Sequence, residues 1–245
     1  MKNKVQKKHN NNRNLYRIVL LILIVFNFGT ASAQKISLFG LGKKMIEIAK
    51  SDTPEKVLDL VNVGEDLDKK AAILESFLTT KTTMENLDNI KNYKLFNVIK
   101  ENDSLVYFLI KNNKKFYVVS SILNARNQIV GKFKYVKSKI SKKLEAGEKV
   151  YKSRCYSCHG INGRGGLGPN LTDHYCKFVH TDKDMIDIIA NGKKGTMMIA
   201  YKTYLSPEEI EAVATYVKSL RGIEVKNGKS AEGKIDNPNL KIFNK

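Results

Sequence analysis

The sequence predicts an α+β chain of two modules behind an export leader, with helices preceding an antiparallel meander in the first module and an all-α second module. Three observations carry this prediction. A short apolar run follows a basic N-terminus, β-branched and aromatic runs cluster between residues 93 and 137, and capped amphipathic helical patterns flank a cysteine motif after residue 141.

The leader spans residues 1–33, with six Lys or Arg and no acid, an apolar stretch at 18–28, and then Ala31, Ser32 and Ala33. That order is the one a secretory signal peptide shows, with cleavage expected before Gln34. The apolar stretch falls short of the roughly 20 residues that cross a bilayer, which favours periplasmic release over an uncleaved anchor. No second run of membrane-spanning length follows.

The chain has 245 residues, of which 42% are hydrophobic, enough for a substantial core, and it carries a net charge of +19. An exported chain without a basic and aromatic motif is a poor candidate for nucleic acid. Its basic surface is expected to be solvated and to steer acidic partner proteins weakly.

Residues 34–140 form the α+β module. Thr53, Pro54 and Glu55 open a helix backed by Val57, Leu58 and Val61, and a second helical pattern covers 71–78. Four runs follow, "YKLFNVIKEN", "SLVYFLIKNN", "KKFYVVSSIL" and "QIVGKFKYVK", separated by Asn, Asp and Lys turns, as in a meander. The module contains no histidine and no cysteine, and its acids do not cluster at metal-ligand spacing. Its function is unknown from sequence. The lysine-rich stretch 137–143 is the expected junction.

Residues 141–223 form the all-α module and 224–245 a polar tail expected to be extended or mobile. A short helix runs into "RCYSCHG", and a glycine-rich segment follows. Thr181 and Asp184 make a capping box ahead of Met185, Ile186, Ile188 and Ile189. Ser206 caps the last helix, Pro207 opens it, and Ile210, Val213, Ala214, Val217 and Leu220 line one face before Gly222 stops it.

The chemistry is concentrated at Cys155, Cys158 and His159, which hold two of three cysteines and one of four histidines. A zinc site would need two more ligands, and His174, Cys176 and His180 are irregularly spaced. A thioredoxin-like dithiol should open a helix after a central strand, whereas here a helix precedes the motif. The histidine directly after the second cysteine selects haem, because two thiols on one turn can add to the two vinyl groups and carry the imidazole beneath the iron. One such motif implies one haem. The sixth ligand is expected from Met197 or Met198, and the spacing does not choose between them.

Residues 144–222 resemble a class I cytochrome c domain, most closely the c-type haem domains of small subunits of cbb-type terminal oxidases and their soluble relatives. The resemblance rests on Cys155, Cys158 and His159, on "GPNLTD" at 168–173, and on Met198, Ile199, Ala200, Tyr201 and Lys202, which fit that family's Met-x-Ala-aromatic-Lys run. It implies Met198 as the distal ligand, with Met197 as fallback. It also implies that the Pro169 carbonyl accepts a hydrogen bond from His159, and that Gly147, Tyr151 and Tyr216 sit where the terminal helices cross. Departures fall in "HYCKFVHTDKD", where Cys176 replaces a common tryptophan as a small side chain or a redox-sensitive thiol. His174 and His180 are rival iron ligands in principle.

The expected function is an exported monohaem electron carrier, not an enzyme, serving redox partner proteins such as a terminal oxidase or another respiratory complex. The alternative is a haem-based sensor with a labile distal methionine, in which the first module signals or supplies a pocket.

Overall fold

A computed structural model describes residues 37–87, 89–136 and 139–235. The expected signal peptide lies outside the described residues. Among them, no helix is long and apolar enough to cross a membrane.

Helix α1 (Leu38–Lys50) starts where the Ser37 hydroxyl accepts a bond from the Gly40 amide at 3.0 Å, and it buries Leu41, Met45, Ile46 and Ala49 along one stripe. Gly42 lets it lie against the sheet, since a Cβ there would stand 2.8 Å from Val98 Cγ2. The proline-led segment 54–60 is a 3₁₀ turn, not the expected α-helix. Helix α2 (Leu67–Leu87) is longer than its sequence pattern suggested, because Thr80 and Met84 extend the buried stripe of Ile73, Leu74 and Phe77.

Strands β1 (Lys94–Lys100), β2 (Leu105–Asn112), β3 (Lys115–Ile122) and β4 (Lys134–Tyr135) form an antiparallel meander in sequence order. The fourth expected strand is mostly not paired. Its Ile129 makes isolated bridges to Val61 and Leu123, and the Phe133 amide turns to the Ser76 hydroxyl of α2 at 2.9 Å.

The sheet is covered on both faces, which explains why β2 and β3 read as nearly continuous apolar runs. Val106, Phe108, Ile110, Tyr117 and Val119 join the core with α1 and α2. The alternate residues Leu109, Phe116 and Val118 join a second core with the helices that follow.

Those helices are α3 (Lys139–Val150), α4 (Tyr156–His159), α5 (Asp182–Asn191) and α6 (Pro207–Ser219). The described part of the expected junction, residues 139–143, lies within α3. Helices α3 and α6 cross at Gly147, where a Cβ would stand 2.1 Å from the Ala212 carbonyl oxygen, and the rings of Tyr151 and Tyr216 lie 5.4 Å apart beside the crossing. The expected capping box of Thr181 with Asp184 is present, and the expected Ser206 cap is completed by Glu209 into a second box.

Three contacts between sheet and helices were not legible in the sequence. A bulge in β1 between Leu95 and Asn97 turns Asn97 toward α6. Its Nδ2 donates to the carbonyls of Ser219 and Arg221, both at 2.8 Å. Glu148, buried on α3, pairs with Lys111 of β2 and with Lys152 at 2.7 Å.

The second module is not wholly helical. Strand β5 (Tyr175–Cys176) pairs with β6 (Lys234–Ile235), so the described part of the tail is extended but tied down.

Candidate haem site

Helix α3 does not stop before the cysteines. It widens into a π-helical segment, Tyr151–Cys155, that hands the chain to the single turn of α4 carrying Cys158 and His159. Gly160, at φ +78°, ends that turn, and the buried Tyr151 hydroxyl donates to the Gly160 carbonyl at 2.6 Å. Tyr201 holds the other end, its hydroxyl donating to the Arg154 carbonyl at 3.1 Å.

The glycine-rich loop folds back on the motif. The Gly168 amide donates to the Cys158 carbonyl at 2.9 Å, and the Gly165 amide to the His159 carbonyl at 2.8 Å. Gly168 lies so near the imidazole that a Cβ would stand 2.7 Å from His159 Cε1. On the same side, His159 Nδ1 and the Pro169 carbonyl are 3.1 Å apart. A carbonyl only accepts, so Nδ1 carries the proton and Nε2 is left with the lone pair. Burial lowers the proton affinity of His159 from its ordinary value, against the Pro169 bond, and the nearby Lys229 charge lowers it further.

Cys155, Cys158, His159 and Pro169 share the wall of one cavity of about 330 Å³ with Met185, Ile189, Met198 and Val213. That volume lies within the range for small-molecule sites, roughly 300–1,000 Å³. Neither cysteine is in a disulfide. Burial, with Cys158 second, pushes the Cys155 thiol up to about 11, opposite to the lowered value of a reactive dithiol. Among the described residues, no group of three or more His, Cys, Asp or Glu is placed to hold a metal ion.

The two methionines differ. Met197 is 75% exposed, whereas Met198 is partly buried against the second core, its amide bonded to Thr196 Oγ1 at 3.1 Å and its carbonyl to the Lys193 amide at 2.9 Å. Both line the cavity. His174 and His180 are exposed and outside it. Cys176 lines it, with Arg221 Nη2 at 3.0 Å from its sulfur.

Residues 142–217 match the family described as cytochrome C oxidase, cbb3-type, subunit III. They form a class I c-type cytochrome domain. Its cofactor is covalently bound haem c with iron.

This cytochrome domain is 39% identical over 80 residues to the Cbb3-type cytochrome c oxidase subunit FixP of Bradyrhizobium sp. (strain ORS 278), covering 31% of this chain and 27% of that one. The corresponding match to subunit CcoP of Rubrivivax gelatinosus is 35% over 80 residues, covering 32% and 26%. The chain thus spans about a quarter of the length of these curated relatives. Among solved structures, cytochrome cL from Hyphomicrobium denitrificans is 30% identical, with a TM-score of 0.31 over 32% of this chain and 48% of that one.

The observed cavity fits haem c. Cys155 and Cys158 share its wall with an imidazole whose Nδ1 is engaged, and apolar side chains such as Leu171, Met185, Ile189, Val213 and Val217 line it together with charged groups. Tyr201, Arg221, Lys229 and Glu232 also contribute to the site without having been found by sequence reasoning. Tyr201 alone carried a signal, as the aromatic of the Met-x-Ala-aromatic-Lys run.

Proposed function

We propose that the chain is an exported monohaem cytochrome that carries single electrons between respiratory redox partners. The placement of Cys155, Cys158 and His159 on one cavity wall, with His159 held through Nδ1 by Pro169, carries this reading. Haem supplies a one-electron Fe(III)/Fe(II) couple.

The chain's residues set the conditions for that couple. Cys155 and Cys158 would hold the porphyrin through thioethers, and the Pro169 carbonyl orients the His159 ring so that Nε2 would be free to bind the iron. Met198 would supply the second, thioether ligand, a reading supported by its partial burial beside the cavity against the exposure of Met197. A thioether at that position favours Fe(II) and raises the potential. With His159 and Met198 both binding the iron, substrate would have no access to the metal, which argues for a carrier over an enzyme. The names of the oxidase relatives support a terminal oxidase or another respiratory complex as partner. The polar tail and the α+β module lie outside the family match.

The test is maturation of the full chain in a host competent for covalent haem attachment. Pigment that stays with the denatured protein in acidified organic solvent, and reduced bands unchanged by carbon monoxide, are expected. Extractable pigment overturns the haem assignment. Rapid carbon monoxide binding at neutral pH overturns the carrier reading in favour of a sensor with a labile Met198.

A further inference from the structure

Residues 221–235 lie beyond the family match, which ends at residue 217, and they return across the cavity as a strap. Three anchors hold it. The Lys229 amide donates to the Arg164 carbonyl at 2.8 Å, Asn170 Nδ2 donates to the Lys229 carbonyl at 3.2 Å, and β6 pairs with β5. Gly233, at φ +100°, allows that pairing, since a Cβ there would stand 2.3 Å from the Cys176 carbonyl oxygen. Between the anchors Glu232 bridges Lys177 and Lys229, each at 2.6 Å.

The charged groups lining the cavity separate by position. Arg154 belongs to the cysteine turn, adjoining Cys155. The Lys193 amide bonds the Met198 carbonyl, and its ammonium lies 4.5 Å from the centre of the Phe178 ring. The others, Lys177, Arg221, Lys229 and Glu232, gather along the strap, with Arg221 on the sulfur of Cys176, the chain neighbour of Lys177. Three cations against one carboxylate leave two positive charges.

Haem carries its two vinyl groups on one edge and its two propionates on the opposite edge. Attachment at Cys155 and Cys158 commits the vinyl edge, so the propionates need a second, cationic place in the same cavity. Buried carboxylates are tolerated when they meet cations in hydrogen-bonding range.

We propose that the strap closes the propionate edge of the haem, with Arg221 and Lys229 binding the two carboxylates and Glu232 latching Lys229 in place. This rests on the haem reading above. Positive charge at that edge offsets the propionates and favours Fe(II) over Fe(III), so Arg221 and Lys229 raise the reduction potential.

The experiment uses the full chain matured with haem, comparing wild type with Arg221→Gln, Lys229→Gln, the double variant, Lys229→Arg, and Lys100→Gln, an exposed strand lysine, as control. Each Gln variant at the strap should titrate at a lower midpoint potential than wild type, the double variant lowest, while Lys229→Arg and Lys100→Gln stay at the wild-type value. Glu232→Gln should speed hydrogen exchange at the Lys229 amide. Haem-loaded Gln variants that titrate with wild type overturn the strap assignment while leaving the haem reading intact. A wild-type chain without covalent pigment overturns both.

Discussion

Asn97 on the first strand holds Ser219 at the end of the last helix, its Nδ2 2.8 Å from that carbonyl and equally near the carbonyl of Arg221. A single amide thereby satisfies the carbonyl of the last helical residue and one just past it, more than 100 residues away in the sequence. Asn97→Ala leaves both carbonyls without that donor. It should cost about 2–3 kcal/mol of stability, measured by denaturant unfolding of the haem-loaded chain. A loss below about 0.5 kcal/mol would show that solvent replaces the amide.

Met198→Ala should lower the midpoint potential by about 59 mV or more, the one-electron equivalent of a tenfold shift in the Fe(III)/Fe(II) ratio. It should also open the iron to carbon monoxide. Met197→Ala should do neither, since that side chain is mostly solvent-exposed. The reverse pattern in the same two measurements would exchange their roles.

Gly168→Val should disturb the proximal side, because its first added carbon meets the His159 ring at 2.7 Å. The ring must tilt or the loop must move, and either weakens the bond between Nδ1 and Pro169. The expected result is a shifted potential and pigment more easily displaced from its axial ligands by added imidazole. Gly166→Ala meets the Cys158 carbonyl instead, at 2.9 Å, and should leave the His159 ring in place.

Glu148 predicts a pH dependence. Burial opposes its ionisation, but hydrogen bonds from Lys111 and Lys152 outweigh burial and hold the carboxyl below its ordinary value of 4.5. A carboxyl with a depressed folded value contributes stability that is complete above the unfolded value and is lost as pH falls through the folded one. Unfolding free energy should therefore decline as pH drops below about 4.5. Glu148→Gln should be less stable at neutral pH, because it leaves two lysines beside a neutral amide, and its acid decline should be shallower. Equal slopes below pH 4.5 for the two proteins would assign the decline to other carboxylates.

Gly147→Val tests the helix crossing. With a Cβ 2.1 Å from the Ala212 carbonyl oxygen, α3 and α6 must separate, exposing the core around Leu144 and Val213. A loss of about 3 kcal/mol or more is expected from overpacking and lost burial together. Unchanged unfolding would mean that the crossing is not as close as described.

The sequence by itself determined the haem motif, the Thr181 capping box, the Ser206 cap with the last helix, and the first three strands. Each is encoded within a few neighbouring residues, where cap chemistry, period and adjacency act directly. Pro169 and Met198 were reached through resemblance, since the partner of each is distant in the chain. Tertiary structure alone decided that the sheet has two covered faces, because alternation on β2 and β3 shows only that both sides are apolar and not what covers them. It also decided the pairing of Asn97 with α6, the burial of Glu148 between two lysines, and the strap over the cavity. Those contacts join residues far apart in sequence, and their charges and amides look like ordinary surface groups until the chain brings them together.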